Sequence, residues 1–150
     1  MTSDIQIQTA EHDDDIMRCF PVIQELRPHV REDKFVSQVR AQSAQCGYAL
    51  ALAQLDGQVV GVAGFRITEN LAWGRHVFVD DLVTAAAARS RGVGSALLHW
   101  LVRLGKSEGC GQLHLDSGVQ RHDAHRFYLR ERMDITSHHF ALSLATVTNG

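Results

Sequence analysis

The residues best suited to chemistry in this sequence form a glycine-rich turn that begins a helix. The stretch from Arg89 to Gly94 reads Arg-Ser-Arg-Gly-Val-Gly and comes directly before a long helical pattern. The first turn of a helix has amide hydrogens without intrahelical partners, and glycine lets a ligand approach the backbone closely. The helix dipole and the side chains of Arg89 and Arg91 add positive potential. These residue types at this spacing predict an anion site suited to a pyrophosphate.

Two nucleotide-binding motifs and one structural alternative compete for this turn. A dinucleotide motif needs Gly or Ala where Leu97 stands, because the last small residue allows close packing of helix and strand. A phosphate loop ending at Gly105-Lys106-Ser107 would need glycine at Trp100. Both motifs are therefore excluded. A glycine-rich helix start without a ligand remains an alternative, which the two arginines and the preceding strand disfavour.

Two adjacent carboxylates, Asp80 and Asp81, interrupt an apolar stretch with the pattern of a strand. Strands disfavour aspartate, so the pair is a candidate for chemistry. Strict alternation would place the two side chains on opposite faces of the sheet. One could then act as a general base toward a substrate, while the other bonds backbone or an arginine. The alternative is a pair of structural carboxylates satisfied by backbone at a bulge.

Histidines are numerous but do not form a metal-binding pattern. His122 and His125 lie one helical turn apart, yet the sequence offers no evident third ligand. His138 and His139 would point to opposite faces of a strand. We therefore expect no metal and interpret these side chains as surface or core histidines.

The elements that must position these residues follow from periodicity and turn signals. Apolar spacing predicts helices over residues 13–26, 32–45, 93–108 and 122–130, and strands over 5–9, 48–54, 59–67, 75–84 and 112–116, with a last strand within 135–144. Asp56-Gly57 is a hairpin turn signal. Hairpins followed by a strand–helix–strand crossover predict a mixed sheet with helices on both faces. With no linker in the sequence, we expect a single domain spanning residues 1–150.

The segment from Arg89 to Gly94 resembles the R/Q-x-x-G-x-G/A signature of the GNAT superfamily of N-acetyltransferases. The resemblance extends to Asp81–Thr84, to the helix ending near Glu108 and to the block Ala124–Met133. The stretch from Arg121 to Glu131 is similar to the aminoalkylphosphonate N-acetyltransferase branch. The resemblance implies an α/β (mixed α+β) three-layer fold, in which about four helices flank a central, splayed, mixed sheet of about six or seven strands.

The resemblance also implies which residues bind the cosubstrate, acetyl-coenzyme A. Backbone groups of Leu82, Val83 and Thr84 should contact its pantetheine arm. The pyrophosphate should be held by the turn and the start of the helix: Arg89, Ser90, Arg91, Gly92, Val93, Gly94 and Ser95. Arg121 stands where many members have asparagine, and it could contact a phosphate instead.

Family roles can further be assigned to catalytic and acceptor residues. Tyr128 matches a tyrosine near the cofactor sulfur, where its hydroxyl could protonate the departing thiolate. Asp80 matches an acidic residue that serves as base in some members, with Asp81, Glu69 or a relaying water as alternatives. The loop after the first helix borders the acceptor site in this family, which makes Glu25, Arg27 and His29 candidate substrate contacts. Glu25 would suit an amine and Arg27 an acid group.

Three functions are compatible with these residues. The first is direct transfer of an acetyl group to a primary amine of a small molecule. The second is acetylation of a protein or peptide. The third, from another class, is a non-catalytic acyl-coenzyme A-binding sensor, against which the presence of Tyr128 and the acidic pair argues.

Composition restricts the partners and the compartment. The formal net charge is -2 and the basic residues are scattered, which argues against a nucleic-acid partner. No run approaches the roughly 20 apolar residues of a membrane span, and Met1–Asp4 does not begin a leader peptide. Three scattered cysteines suit a reducing compartment. We therefore expect a cytoplasmic protein; a homodimer is compatible with these features.

Overall fold

The computed structural model describes residues 4–145, which divide into two compact units after Leu115. The expectation of a single domain over residues 1–150 stays a prediction. Residues 1–3, to which the expectation about a leader peptide refers, lie outside the described range.

The first unit is built on a five-stranded mixed sheet. Its elements are β1 (Gln6–Thr9), α1 (Asp13–Leu26), α2 (Glu32–Cys46), β2 (Ala49–Leu55), β3 (Gln58–Asn70), β4 (Gly74–Thr84), a short 3-10 turn (Ala86–Ala88), α3 (Val93–Ser107) and β5 (Gln112–Leu115). The strands lie in chain order from β1 to β5, antiparallel except for the parallel pair of β4 and β5. This arrangement confirms the predicted hairpins and the final crossover.

The second unit contains α4 (His122–Arg130), which completes the predicted set of four helices. The last strand predicted within 135–144 is wrong, because residues 131–145 contain no strand. The apolar side chains that suggested it are exposed to solvent: Ile135, Phe140, Leu142 and Leu144. Alternating apolar residues form a strand only where a neighbouring strand pairs their backbone groups. The sheet therefore has five strands instead of the expected six or seven.

Apolar faces of the helices cover both sides of the sheet. On one side, α1 and α2 bury Ile16, Phe20 and Phe35 against β2 and β3. On the other, α3 buries Val93, Leu97 and Leu101 against the alanine and valine side chains of the strands. Burial of this apolar surface is the main favourable term for folding the unit. Among the described helices, none has the length and apolar character needed to cross a bilayer.

A β-bulge in β4 places both carboxylates of the acidic pair on the same face. Gly64 pairs with Asp81 and Phe65 pairs with Val79, which makes Asp80 an extra residue in β4. Val79 packs in the core beneath α3, whereas Val83 packs in the core beneath α1. The bulge therefore reverses the alternation of side chains along β4. The prediction that Asp80 and Asp81 face opposite sides is wrong for this reason.

Gly64, opposite the bulge, leaves the space that the acidic pair occupies. A Cβ atom built at Gly64 would collide with Tyr48 Oη, and it would lie 2.6 Å from Tyr48 Cζ and 2.8 Å from Asp81 Oδ2. Distances this short require the tyrosine or the carboxylate to move. Position 64 therefore admits glycine only, as long as Tyr48 and Asp81 keep their places.

We predict that Gly64→Ala lowers the free energy of unfolding by about 1–3 kcal/mol, because the added methyl overpacks this site. Denaturant titration followed by circular dichroism measures the change. Gly111→Ala is the matched control, since a Cβ there meets no atom within 4 Å. Equal midpoints for Gly64→Ala and the wild type would contradict the packing described here.

Candidate active site

The sheet opens where β4 continues beyond β5. Their pairing covers only His76–Val79 and Gln112–Leu115, while β4 runs on to Thr84. The amide of Ala85 donates to Val60 O at 2.8 Å, so alternation directs the backbone groups of Val83 toward β3 and those of Leu82 and Thr84 toward the opposite edge. Among the described strands, none pairs with that edge of β4 after Val79. An extended polar ligand can bind there as an added strand does.

The glycine turn presents backbone amides at the start of α3. Gly92 is the N-cap residue with φ +80°, and no side chain caps the helix. Arg89, Ser90, Arg91 and Gly92 are exposed, whereas the side chain of Val93 is buried in the core. A Cβ at Gly92 would meet no atom within 4 Å. Uncapped amides, open space and two exposed arginines fit a pyrophosphate group.

Asp80 forms a bidentate ion pair with Arg66. Asp80 Oδ2 accepts from Arg66 Nε at 2.8 Å, and Oδ1 accepts from Nη2 at 3.0 Å. The guanidinium also lies 5.0 Å from the ring centre of Phe78, and the hydrogen bond to Asp80 raises the pKa of Arg66. The Asp80 side chain remains 30% exposed. Arg66 therefore orients this carboxylate without enclosing it.

Asp81 is more enclosed and links three elements. Its Oδ1 accepts from Arg27 Nε at 2.9 Å, and its Oδ2 accepts from Tyr48 Oη at 2.7 Å. Arg27 Nη2 also donates to the carbonyl oxygen of Asp80 at 3.0 Å. Burial, followed by the negative charge of Asp81, raises the pKa of Tyr48 above its usual value. Tyr48 therefore stays protonated and serves as a donor to Asp81.

The three residues predicted to contact the acceptor, Glu25, Arg27 and His29, lie in three different environments. Arg27 lies at the acidic pair, as just described. Glu25 Oε1 instead accepts from the amide of Ala86 at 2.9 Å, so it holds the 3-10 turn against the end of α1. His29 is exposed and lines an open surface depression with Met17 of α1, Pro28 of the same loop and Glu32 of α2, among other residues. Asp80 and Asp81 do not line that depression.

The sequence interpretation did not identify Tyr48 or Arg66 as part of this site. Arg66 is the one charged residue in the predicted strand over 59–67, and a cation in a strand next to one that contains two carboxylates could have marked it as a partner. Tyr48 comes just before β2 and carries no comparable signal. Its contact with Asp81 depends on the packing of β2 against the bulge.

In the second unit, Tyr128 lies on α4 and is partly buried. Burial raises the pKa of Tyr128, while the charge of Arg121 and its hydrogen bond to the phenol act in the opposite direction. The phenol is therefore protonated at neutral pH and can donate a proton. Arg121 is the N-cap residue of α4, although its side chain makes no capping hydrogen bond.

The histidines of the second unit have ordinary contacts. His125 Nε2 lies 2.7 Å from Gly118 O, and His139 Nδ1 lies 3.1 Å from Asp116 Oδ2. The rings of His122 and His125 are 6.2 Å apart, centre to centre. Within residues 4–145, no group of three or more His, Cys, Asp or Glu side chains could hold a metal ion.

Comparisons with known proteins agree with this geometry. Residues 10–133 match the family described as acetyltransferase (GNAT). The chain is 31% identical over 109 residues to the uncharacterized N-acetyltransferase YhdJ of Bacillus subtilis (strain 168), with 73% of this chain and 77% of that protein covered. It is 34% identical over 85 residues to the aminoalkylphosphonate N-acetyltransferase of Salmonella typhimurium (strain LT2), with 56% of this chain and 54% of that protein covered.

Solved structures show the same fold. An aminoglycoside N-acetyltransferase, AAC(6')-Iy, in complex with coenzyme A superimposes with a TM-score of 0.84 at 18% identity, covering 95% of this chain and 96% of that chain. Likeness at this identity concerns the fold alone. The family model matches most of the sequence, and the Bacillus subtilis relative is 31% identical. The chain therefore belongs to the GNAT family and is an acetyl-coenzyme A-dependent N-acetyltransferase.

Proposed function

We propose that the protein transfers the acetyl group of acetyl-coenzyme A directly to the primary amine of a small molecule. The observation that carries the proposal is the position of the acidic pair. Asp80 and Asp81 share one face of the sheet at the bulge, directly after the last residue of β4 that pairs with β5. A thioester bound along the open edge would therefore lie next to carboxylates that can receive an amine.

The cosubstrate would use mainly backbone groups. Leu82 and Thr84 direct theirs to the open edge of β4, which suits the amides of a pantetheine arm. The pyrophosphate would bind the amides of Gly92, Val93, Gly94 and Ser95, with Arg89 and Arg91 supplying positive charge. Arg121 remains a candidate phosphate contact.

Asp80 is the preferred general base. A primary amine has a pKa of about 10.4, so its deprotonation near pH 7 costs about 4 kcal/mol. Arg66 occupies one lone pair on each oxygen of Asp80, and a carboxylate has about four lone-pair sites. Those that remain can hold the ammonium group and accept its proton, directly or through a water. Asp81 is the weaker candidate, because Arg27 and Tyr48 already bind its oxygens.

Tyr128 is the proposed acid. The amine nitrogen forms a bond to the carbonyl carbon of the thioester, and the bond between carbon and sulfur breaks. Asp80 releases the first proton of the ammonium group to water before the attack and takes the second proton that the nitrogen loses afterwards. The sulfur takes a proton from the Tyr128 hydroxyl, and Tyr128 then regains a proton from water. The raised pKa of Tyr128 keeps this hydroxyl protonated at neutral pH.

The acceptor we favour carries an acid group besides its amine. The Arg27 side chain is 43% exposed, and its Nη1 has no hydrogen-bond acceptor among the described residues. An arginine edge of this kind binds carboxylate, phosphate or phosphonate oxygens. The Salmonella typhimurium relative, whose name specifies aminoalkylphosphonates, supports this class.

We predict that Asp80→Asn lowers kcat by about 100-fold or more, the usual contribution of a general base. Thiol release from acetyl-coenzyme A in the presence of aminoethylphosphonate measures kcat. Asp13→Asn is the matched control, because Asp13 also pairs with an arginine, Arg40. An unchanged kcat in Asp80→Asn would exclude Asp80 as base.

Tyr128→Phe should lower kcat by about 10- to 100-fold while the affinity for coenzyme A changes little, because only proton donation is lost. Steady-state kinetics and calorimetry separate the two effects. Because the pKa of Tyr128 is raised, the wild type should show no loss of activity from ionisation of this group below about pH 10. Turnover equal to that of the wild type would show that Tyr128 is not the acid.

Gly92→Ala should weaken coenzyme A binding strongly, because a methyl group would project where the phosphate approaches and the left-handed backbone costs about 1–2 kcal/mol for a non-glycine residue. Gly109→Ala is the matched control. Gly109 has φ +76° against +80° for Gly92, and a Cβ meets no atom within 4 Å at either position. Calorimetric titration should show lost affinity in the first variant only; equal affinities would remove the turn from the binding site.

A further inference from the structure

Tyr48 is the buried end of a chain of hydrogen bonds that reaches the surface at Arg27. Tyr48 is only 5% exposed. Its Oη lies 2.7 Å from Asp81 Oδ2, and Asp81 Oδ1 lies 2.9 Å from Arg27 Nε. Arg27 Nη2 adds a 3.0 Å bond to the carbonyl oxygen of Asp80. The chain thus joins the start of β2, the bulge of β4 and the end of α1.

Packing alone does not account for a tyrosine at this position. The ring lies in the apolar core with Phe20, Leu50 and Val62, where a phenylalanine ring would serve equally well. A hydroxyl buried in such surroundings is unfavourable unless it is hydrogen-bonded. Both the phenol and Asp81 also require glycine at position 64. The protein therefore keeps the buried hydroxyl of Tyr48 and a glycine at position 64, which a purely apolar core would not need.

The other end of this chain of hydrogen bonds is Arg27, the residue that ends α1. Arg27 is the C-cap residue, and its amide donates to Ile23 O at 2.8 Å. In the loop beyond it, the amide of Val30 donates to Arg27 O at 3.0 Å, and Arg31 O accepts from the amide of Lys34 at 3.1 Å. Among the described residues, only Asp81 and the Asp80 carbonyl accept hydrogen bonds from the guanidinium. A long side chain on such a loop would otherwise sample several rotamers.

We propose that Tyr48 is a positioning residue for the acceptor. Through Asp81 it holds the guanidinium of Arg27 at a set place beside Asp80, so that Arg27 binds the acid group of the acceptor while Asp80 receives its amine. This inference rests on the proposed function and deepens it, since it names the residue that makes the enzyme select amines with an acid group. Fixing Arg27 before binding removes the loss of rotamer freedom that binding would otherwise incur.

The arrangement also restricts the acceptor to short molecules. Arg27 contacts the backbone carbonyl of Asp80 itself, so the anion-binding edge and the base are contributed by neighbouring groups. A compact molecule with its amine and acid group a few bonds apart can reach both. Aminoethylphosphonate and β-alanine carry phosphonate and carboxylate forms of such an acid group, and ethylamine has neither.

The test compares these three amines in the wild type and in Tyr48→Phe. We expect the KM for aminoethylphosphonate and β-alanine to rise about tenfold in the variant, which is the effect of about 1.4 kcal/mol. The KM for acetyl-coenzyme A and the kinetics with ethylamine should stay unchanged. Cys19→Ala is the matched control for a loosened core, because Cys19 lies in the same cluster and, among the described residues, its thiol donates only to Asp15 O. It should leave the preference for acidic amines intact.

A double-mutant cycle tests whether Tyr48 acts through Arg27. Arg27→Gln should abolish the preference for acidic amines, and adding Tyr48→Phe in that background should change it no further. A preference for acidic amines that survives Arg27→Gln, or an unchanged preference in Tyr48→Phe alone, would overturn the proposal.

Hydrogen exchange separates this inference from the proposed function, because it requires no substrate. Tyr48→Phe should accelerate exchange in residues 27–31, where the Val30 amide reports the fixed loop. If the wild type acetylates amines without regard to an acid group, the proposed acceptor class fails, and accelerated exchange would still support the positioning of Arg27. Unchanged exchange would overturn that positioning whatever the acceptor is.

Discussion

The extra residue in β4 opposite Gly64 is the constraint on which the rest of the site depends. By reversing side-chain alternation, it leaves Val77 and Val79 in the core beneath α3 and brings Asp80 and Asp81 to the face covered by α1. It also coincides with the end of the pairing between β4 and β5. One local irregularity therefore directs both carboxylates to one face of the sheet and lies where the pairing of β4 with β5 ends.

Charge balance explains why this irregularity is stable. Two carboxylates side by side in a partly buried strand repel each other unless cations neutralise them. Arg66 of β3 and Arg27 at the end of α1 each bind one carboxylate. Because they come from different elements, neutralising the pair also ties helix and sheet together. The two carboxylates differ as a result, since Asp80 remains open while Asp81 is enclosed by Tyr48.

The glycine turn at the start of α3 depends on backbone geometry instead. Two glycines let α3 approach the sheet: a Cβ at Gly61 would lie 2.5 Å from Val93 Cγ1, and one at Gly105 would lie 2.8 Å from Val77 Cγ2. Close packing fixes the start of α3 beside the open edge of β4. Uncapped amides at a helix start can bind a phosphate through the backbone, and two of the six residues from Arg89 to Gly94 are glycine.

Local sequence determined the elements of this protein. The four helices, the hairpin at Asp56-Gly57 and the glycine turn follow from periodicity and backbone preference, which depend on residues close in the chain. The order of these elements and the signature at Arg89–Gly94 were sufficient to indicate the fold and the family. Only the tertiary structure decided the bulge, the contacts of Arg27, Arg66 and Tyr48 with the acidic pair, and the absence of a strand in 135–144. The side-chain contacts join residues 14 to 54 positions apart in the sequence. A strand in 135–144 would need a neighbouring strand with a free edge. A local sequence pattern contains neither kind of information.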